Sequence, residues 1–136
     1  MAAEESSVPS VVAMLLCDKV ITEAGSYKKT LVGIFDRWLL PQLPTNVGGF
    51  WVYGRLTDAA GKYVFKVRFV YLDDDKVLGE AVTDEITATD RLAFFDLAFP
   101  VPALAVEKPG LYEIQLYSND IYIGRTTALV VLREGS

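Results

Sequence analysis

The densest group of chemically capable side chains in the sequence is the acidic run Asp73-Asp74-Asp75, which follows a predicted strand. Carboxylate and amide oxygens are ligands that Ca²⁺ prefers, so this run and Asn119-Asp120 in a later turn are candidate ligand-binding residues. Aspartate is also common in hairpin turns, because it tolerates the backbone geometry there and stays solvated. The spacing of an EF-hand loop is absent. We therefore predict a solvated turn without a metal, and the alternative is a β-sandwich that binds Ca²⁺ or another ligand at its acidic loop ends.

Nucleophilic and acid–base catalysis have few residues to work with. The 136 residues include no histidine and one cysteine, Cys17, which removes most routes to an activated nucleophile or a soft-metal site. Cys17 ends the apolar run Val11–Cys17, where a buried side chain is expected. Asp84, Glu85 and Asp90 could supply paired carboxylates, but a small domain with short loops leaves little room for a cleft between them. We predict a protein that is not an enzyme and that holds no cofactor.

Large apolar side chains near a proline-containing connection are the candidates for an interaction surface. Trp38, Leu39 and Leu40 lie in this connection, and Trp51 lies in the predicted strand that follows it. Such side chains either plug one end of a core or form an exposed patch, and we expect the plug. An exposed patch would bind a protein partner or a second copy of the chain, with tryptophan as the anchor. The function that we predict is a non-catalytic binding or structural module.

The charge of the chain limits the classes of partner and the cellular location that we expect. The formal net charge is −5, which disfavours binding to nucleic acids and to anionic membranes. The first residues are acidic, and the run Val11–Cys17 is too short for a secretory signal or a membrane span. A single cysteine cannot form an intrachain disulfide and favours a reducing compartment. We predict a cytoplasmic protein.

Hydrophobic alternation predicts β-strands along the chain. The clearest strand runs from Tyr63 to Tyr71, with apolar side chains on one face and Lys66 and Arg68 on the other. The run Val11–Cys17 is apolar on both faces, which favours a central strand. Asn119-Asp120 is suited to a two-residue hairpin turn, and a bulge is expected near Gly124.

About eight such strands, separated by turn residues, predict an all-β fold. The expected architecture is a single antiparallel β-sandwich with immunoglobulin-like or Greek-key connections. We assign this domain to residues 10–133 and a flexible tail to residues 1–9.

Two segments of the chain resemble a family of small bacterial proteins of unknown function. In that family an apolar strand ends at a Cys/Ala-Asp pair, as at Cys17-Asp18, and the next strand carries Gly-Ile-Phe-Asp, as at residues 33–36, followed here by Arg37. A closing Pro-Gly-x-Tyr hairpin is matched by residues 109–112. The resemblance extends over nearly the whole chain and implies a bacterial, cytoplasmic β-sandwich. It implies no activity and no site residues.

Overall fold

The computed structural model of the chain describes residues 6–133. Their regular structure consists of β-strands without a helix, which confirms the predicted all-β class. Within the described range there is accordingly no helix with the length and apolar character that crossing a bilayer requires. In chain order the strands are β1 (Ser10–Thr22), β2 (Lys29–Phe35), β3 (Arg37–Leu40), β4 (Thr45–Val47), β5 (Phe50–Thr57), β6 (Gly61–Tyr63), β7 (Phe65–Tyr71), β8 (Lys76–Val82), β9 (Ile86–Ala88), β10 (Phe95–Val101), β11 (Leu104–Val106), β12 (Gly110–Ser118) and β13 (Ile121–Leu132).

The strands fall into two length classes. Within residues 6–133 there are thirteen strands, more than the predicted number of about eight. Eight of them have seven or more residues. The remaining five are three or four residues long. Two of these short strands, β3 and β4, lie in the stretch that was predicted as a proline-containing connection.

Two large sheets organise the chain. One has four strands in the order β10-β5-β1-β2, and the other has five in the order β3-β13-β12-β7-β8. The short strands form two further pairs, β4 with β11 and β6 with β9.

The strand directions correct one part of the prediction. Among the described residues every pairing is antiparallel except that of β3 with β13, so a purely antiparallel arrangement is wrong at this edge. The reason is local, because Asp36 alone separates β2 from β3 and passes the chain from the edge of one sheet to the edge of the other. Pro41 follows β3 directly, and since proline has no N–H to donate, it fits the place of β3 at a sheet edge.

One connected hydrophobic core takes its side chains from both large sheets. The predicted strand at residues 63–71 is divided, because Tyr63 ends β6 and β7 begins at Phe65. Its predicted buried face is confirmed, while Lys66 and Arg68 keep contact with solvent. The core residues with at most 1% exposure that come from the long strands include Leu16, Val52, Leu56, Phe65, Val67, Ile114, Leu116 and Val130.

The predicted hairpin at Asn119-Asp120 is present. Both residues have positive φ, 48° and 67°, which is the geometry of the tightest hairpin turns. The predicted bulge is present as well. Leu116 pairs with Gly124 and Tyr117 with Tyr122, so one residue of β13 is left unpaired beside Gly124.

Residues 6–9 belong to the stretch that was predicted as a tail, and they are hydrogen-bonded to the domain. The backbone N–H of Ser7 donates to the carbonyl of Ala60 at 3.0 Å. The hydroxyl of Tyr63 donates to the carbonyl of Ser7 at 2.7 Å, and the Ser6 hydroxyl donates to the carbonyl of Lys62 at 3.0 Å. These bonds fasten the start of the described chain to the turn after β5. Residues 1–5 of the predicted tail lie outside the described residues.

Candidate functional site

The outer face of the four-stranded sheet, which points away from the core, is largely apolar. Side chains alternate along a strand, so the β5 residues between the core positions point outward. Trp51 is one of them, and it pairs in register with Cys17 of β1 and Pro100 of β10. Cys17 pairs in turn with Ile34 of β2. Ile34, Cys17, Trp51 and Pro100 therefore form one line across all four strands, which we call the apolar row.

The neighbouring line on this face becomes polar toward one side. Leu15, Tyr53 and Ala98 pair across β1, β5 and β10. The Tyr53 hydroxyl donates to Oδ1 of Asp96 at 2.9 Å, and Nε of Arg55 lies 3.7 Å from the same oxygen. Burial and the Asp96 carboxylate raise the pKa of Tyr53, so its hydroxyl keeps its proton. A hydrogen-bonded group of this kind is typical of the polar border around an apolar contact surface.

The outer face of the five-stranded sheet is mixed, and a line of Tyr122, Tyr117, Lys66 and Val82 lies beside a line that is charged and polar. The charged and polar line across four strands consists of Arg125, Gln115, Arg68 and Glu80. Nε of Arg68 lies 2.8 Å from the carboxylate of Glu80, and Nη1 of Arg125 lies 3.2 Å from that of Glu113. One sheet thus presents paired charges to solvent, whereas the other presents the apolar row.

Cys17 shows how closely the side chains of the apolar row pack. It has 0% exposure although it points outward and lies outside the core cluster. Ile34 and Trp51 are its partners in register on the two neighbouring strands. Burial raises the pKa of the thiol, so little thiolate forms near neutral pH. The expectation that Cys17 is buried is confirmed.

We expect the thiol of Cys17 in the folded chain to react with Ellman's reagent at least about a hundredfold more slowly than in the chain unfolded by guanidinium, because the reagent needs an accessible thiolate. Absorbance during the reaction measures both rates. An exposed reference thiol, Val82→Cys in a chain carrying Cys17→Ala, should react at similar rates in both states. Equal folded and unfolded rates for Cys17 itself would contradict its burial.

The four predicted interface residues do not behave as one group. Trp38 is half-buried and packs against the rings of Phe35 and Phe50, with centroid distances of 5.5 and 5.3 Å. Leu40 also packs against the core, whereas Leu39 between them is 59% exposed. This alternation follows from the short strand β3, where neighbouring side chains point to opposite sides. Trp38 and Leu40 therefore plug the core, as expected, while Trp51 lies half-buried on the outer face of the other sheet.

A groove with a volume of about 480 Å³ lies where β2 passes into β3. Its lining includes Asp18, Phe35 and Arg37, three positions of the segment that resembles the bacterial family. The groove carries one acidic and one basic side chain besides the aromatic ones. Nε of Arg37 lies 3.4 Å from Asp36, and both of these side chains are largely exposed, so their attraction contributes little to stability.

The backbone conformation at position 33 explains why the segment that resembles the bacterial family carries a glycine there. Its φ is +68°, in the left-handed region that side chains other than glycine adopt rarely. A Cβ atom at this position would also lie 2.2 Å from Oδ2 of Asp18. The backbone conformation is what favours glycine here, since the exposed Asp18 side chain could turn away from a Cβ atom.

The two acidic turns lie at opposite ends of β7. Because β12 runs antiparallel to β7, Ser118 pairs with Phe65 and Tyr112 pairs with Tyr71. Asn119-Asp120 therefore lies near the start of β7, and Asp73-Asp74-Asp75 follows its end, a separation of roughly 20 Å at the usual rise of a strand. The structure therefore does not bring these two turns together into one site.

Side chains of both turns hydrogen-bond to backbone, Asp74 within its own turn and Asn119 to the segment between β6 and β7. Oδ1 of Asp74 accepts the N–H of Lys76 at 3.0 Å, and Oδ1 of Asn119 accepts the N–H of Val64 at 2.8 Å. Asp73 accepts the hydroxyl of Tyr71 at 3.1 Å, which together with burial raises the pKa of that tyrosine. Across residues 6–133 no cluster of three or more acidic, cysteine or histidine side chains is arranged to hold a metal ion.

Most of the outer face was not predicted from the sequence. Only Trp51 of the apolar row was named as an interface residue, and Ile34, Leu15 and Tyr53 were missed. A signal was present in the run Val11–Cys17, since a strand that is apolar on both faces needs cover on both. That run was interpreted as evidence for a central strand, which is right, but its outward half also indicates an apolar exterior.

These features define the class of the protein: an all-β protein of two large sheets, with one largely apolar and one mixed outer face. The chain belongs to the Family of unknown function (DUF6941), whose family model matches residues 12–131. This membership confirms the suspected relationship to a family of unknown function. No curated protein matches the chain.

Proposed function

We propose that the protein is a non-catalytic, self-associating module whose contact surface is the apolar outer face of the four-stranded sheet. The observation that supports this most directly is the apolar row, which leads from half-buried Trp51 to Ile34, 57% exposed. Val32 on β2 and Ile21 on β1, with exposures of 43% and 44%, lie further along this face, where Lys19 pairs with Val32. Contiguous apolar surface is characteristic of sites that another protein covers, and scattered exposed side chains are not.

The difference between the outer faces of the two sheets favours a specific contact surface over apolar side chains that are spread evenly across the protein. The chain has a net charge of −5, and the outer face of the five-stranded sheet carries alternating charges in ion pairs. The apolar row contains no charged side chain. Charged side chains return toward one side of the face, at Arg55 and Asp96. An apolar centre inside a polar rim is the usual composition of a protein–protein contact.

We infer further that the two large sheets pack face to face as a β-sandwich with immunoglobulin-like connections. Two observations support this inference. The strands β13, β12 and β7 lie side by side in the order that the last two strands and a middle strand take in that fold. Tyr112, near the start of β12, donates its hydroxyl to the carbonyl of Lys108 at 2.6 Å, as the tyrosine corner of immunoglobulin-like domains does. We place the protein in the bacterial cytoplasm, in keeping with its single thiol.

The self-association is tested by sedimentation velocity on the full chain between about 1 and 100 µM, a range that brackets weak to moderate dimers. We expect a reversible dimer, and we expect Ile34→Lys to raise its dissociation constant at least about tenfold, since a lysine there would lose its hydration in the contact. Val82→Lys is the matched control, because Val82 is 59% exposed and lies on the other sheet. It should leave the dissociation constant unchanged.

Two results would overturn the proposal. The first is a wild-type chain that stays monomeric at the highest concentration. The second is a dimer that tolerates Ile34→Lys while Val82→Lys dissociates it, since the contact would then lie on the five-stranded sheet. Circular dichroism spectra of the variants establish that each retains the fold.

A further inference from the structure

The four outer strands of the two large sheets differ in how their free edges are protected. An unprotected edge offers unpaired N–H and C=O groups to another strand. Pro100 interrupts the donors of β10, and β3 has only four residues before Pro41. The edge strand β8 is bent by an irregularity opposite Phe69 and Val70, and Lys76 and Glu80 lie along it.

The fourth outer strand, β2, is the least protected. Within the described residues it pairs with β1 alone, and it contains seven residues without a proline. Its outward side chains Val32 and Ile34 are 43% and 57% exposed. Its one irregularity is the positive φ of Gly33. This edge also carries the end of the apolar row, at Ile34.

The charges along β2 separate by sign. Lys28 and Lys29 lie at its start, and Asp36, whose carboxylate also lies 3.4 Å from Nε of Arg37, follows its end. A second copy aligned in parallel would set lysine beside lysine and aspartate beside aspartate. An antiparallel second copy would set lysine beside aspartate at both ends of the contact, which is favourable twice.

We propose that two copies of the chain associate along β2, with the two β2 strands antiparallel and Val32 nearest the two-fold axis. The inference rests on the proposed self-association, and it places the contact at the β2 border of the apolar face, which Val32 and Ile34 form, and not over Trp51 on β5. Opposite residues in this register have numbers that add to 64, so Lys28 of each copy faces Asp36 of the other and Thr30 faces Ile34. The four-stranded sheets of the two copies then continue one another, and the apolar rows of the two copies run side by side with an offset, because Ile34 of each copy lies beside Thr30 of the other.

The register is tested by introducing one cysteine at the axis. The Cα atoms of directly opposite residues in an antiparallel pair lie about 4.5–5.5 Å apart, within the range that a disulfide spans. Val32→Cys should therefore give a disulfide-linked dimer under mild oxidation. The native Cys17 is buried, so it should not form a crosslink of its own. The control Val82→Cys, on the edge strand of the other sheet, should remain mostly uncrosslinked.

A charge exchange tests the strand direction independently. Lys28→Glu and Asp36→Lys should each raise the dissociation constant about five- to thirtyfold at low salt, and the double variant should restore it. The control pair is Lys76 and Glu107, which lie 3.0 Å apart and are similarly exposed. Lys76→Glu with Glu107→Lys should not change the dimer.

The outcomes separate this geometry from the proposed function. A dimer that neither crosslinks through position 32 nor responds to the charge exchange leaves self-association standing and overturns the β2 contact. Single charge variants that weaken the dimer without rescue by the double variant overturn the antiparallel register. A chain that is monomeric throughout overturns both.

Discussion

Replacing Phe65 with alanine is expected to lower the free energy of unfolding by about 3–5 kcal/mol, the usual range for a fully buried aromatic side chain. Phe65 has 0% exposure, and its ring lies 5.4 Å from that of Tyr63 and 5.9 Å from that of Phe95. Its removal loses apolar burial and leaves a cavity that these neighbouring rings cannot fill completely. Urea denaturation followed by tryptophan fluorescence measures the change.

The matched control is Phe94→Ala. The Phe94 side chain is 56% exposed, and its main contact is the guanidinium of Arg55, 4.3 Å from the ring centre. A cation–π contact at an exposed site is worth about 0.5–1 kcal/mol, so the control should lose no more than that. If both variants lost the same stability, Phe65 would not be the centre of the core that we describe.

Replacing Gly48 with alanine is expected to cost about 2–3 kcal/mol or more of unfolding free energy, because rigid backbone occupies the space that the new methyl group needs. A Cβ atom at Gly48 would lie 2.0 Å from the carbonyl oxygen of Pro102. This close approach joins the segment between β4 and β5 to the segment between β10 and β11. Thermal and urea unfolding of Gly48→Ala would measure the loss.

Gly49→Ala is the informative neighbour for this measurement. Gly49 has a φ of +69°, but nothing lies within 4 Å of a Cβ atom placed there. Its replacement should cost only about 1 kcal/mol for the left-handed backbone. A larger loss at Gly49 than at Gly48 would mean that backbone conformation, not close packing, dominates in this segment.

Local patterns in the sequence were sufficient for the long strands and the tight turns. The alternation between Tyr63 and Tyr71 predicted the buried face correctly, and Asn119-Asp120 predicted its turn, because both depend on neighbouring residues. Eight long strands followed from the same kind of pattern. The short strand β3 could not be predicted this way, since its pairing with β13 depends on residues at the far end of the chain.

The candidate surface depended even more on long-range order. Ile34, Trp51 and Pro100 come from three separate segments, and they form a line only after the register of β1, β2, β5 and β10 is known. For the acidic turns, the sequence suggested a proximity that the structure does not have. Asp74 and Asn119 looked able to cooperate in sequence, but the antiparallel pairing of β7 with β12 places them at opposite ends.

The pairing of β3 with β13 has a consequence for biosynthesis. It joins Arg37–Leu40 to Leu129–Leu132, so the five-stranded sheet cannot close until nearly the whole described chain has left the ribosome. At about 5–20 residues per second, the interval between these two segments lasts roughly 5–20 s. During this interval, the apolar side chains of the early strands remain accessible to other nascent chains. The time of greatest aggregation risk is therefore during translation, and slower elongation or chaperone shortage should reduce the yield of soluble protein.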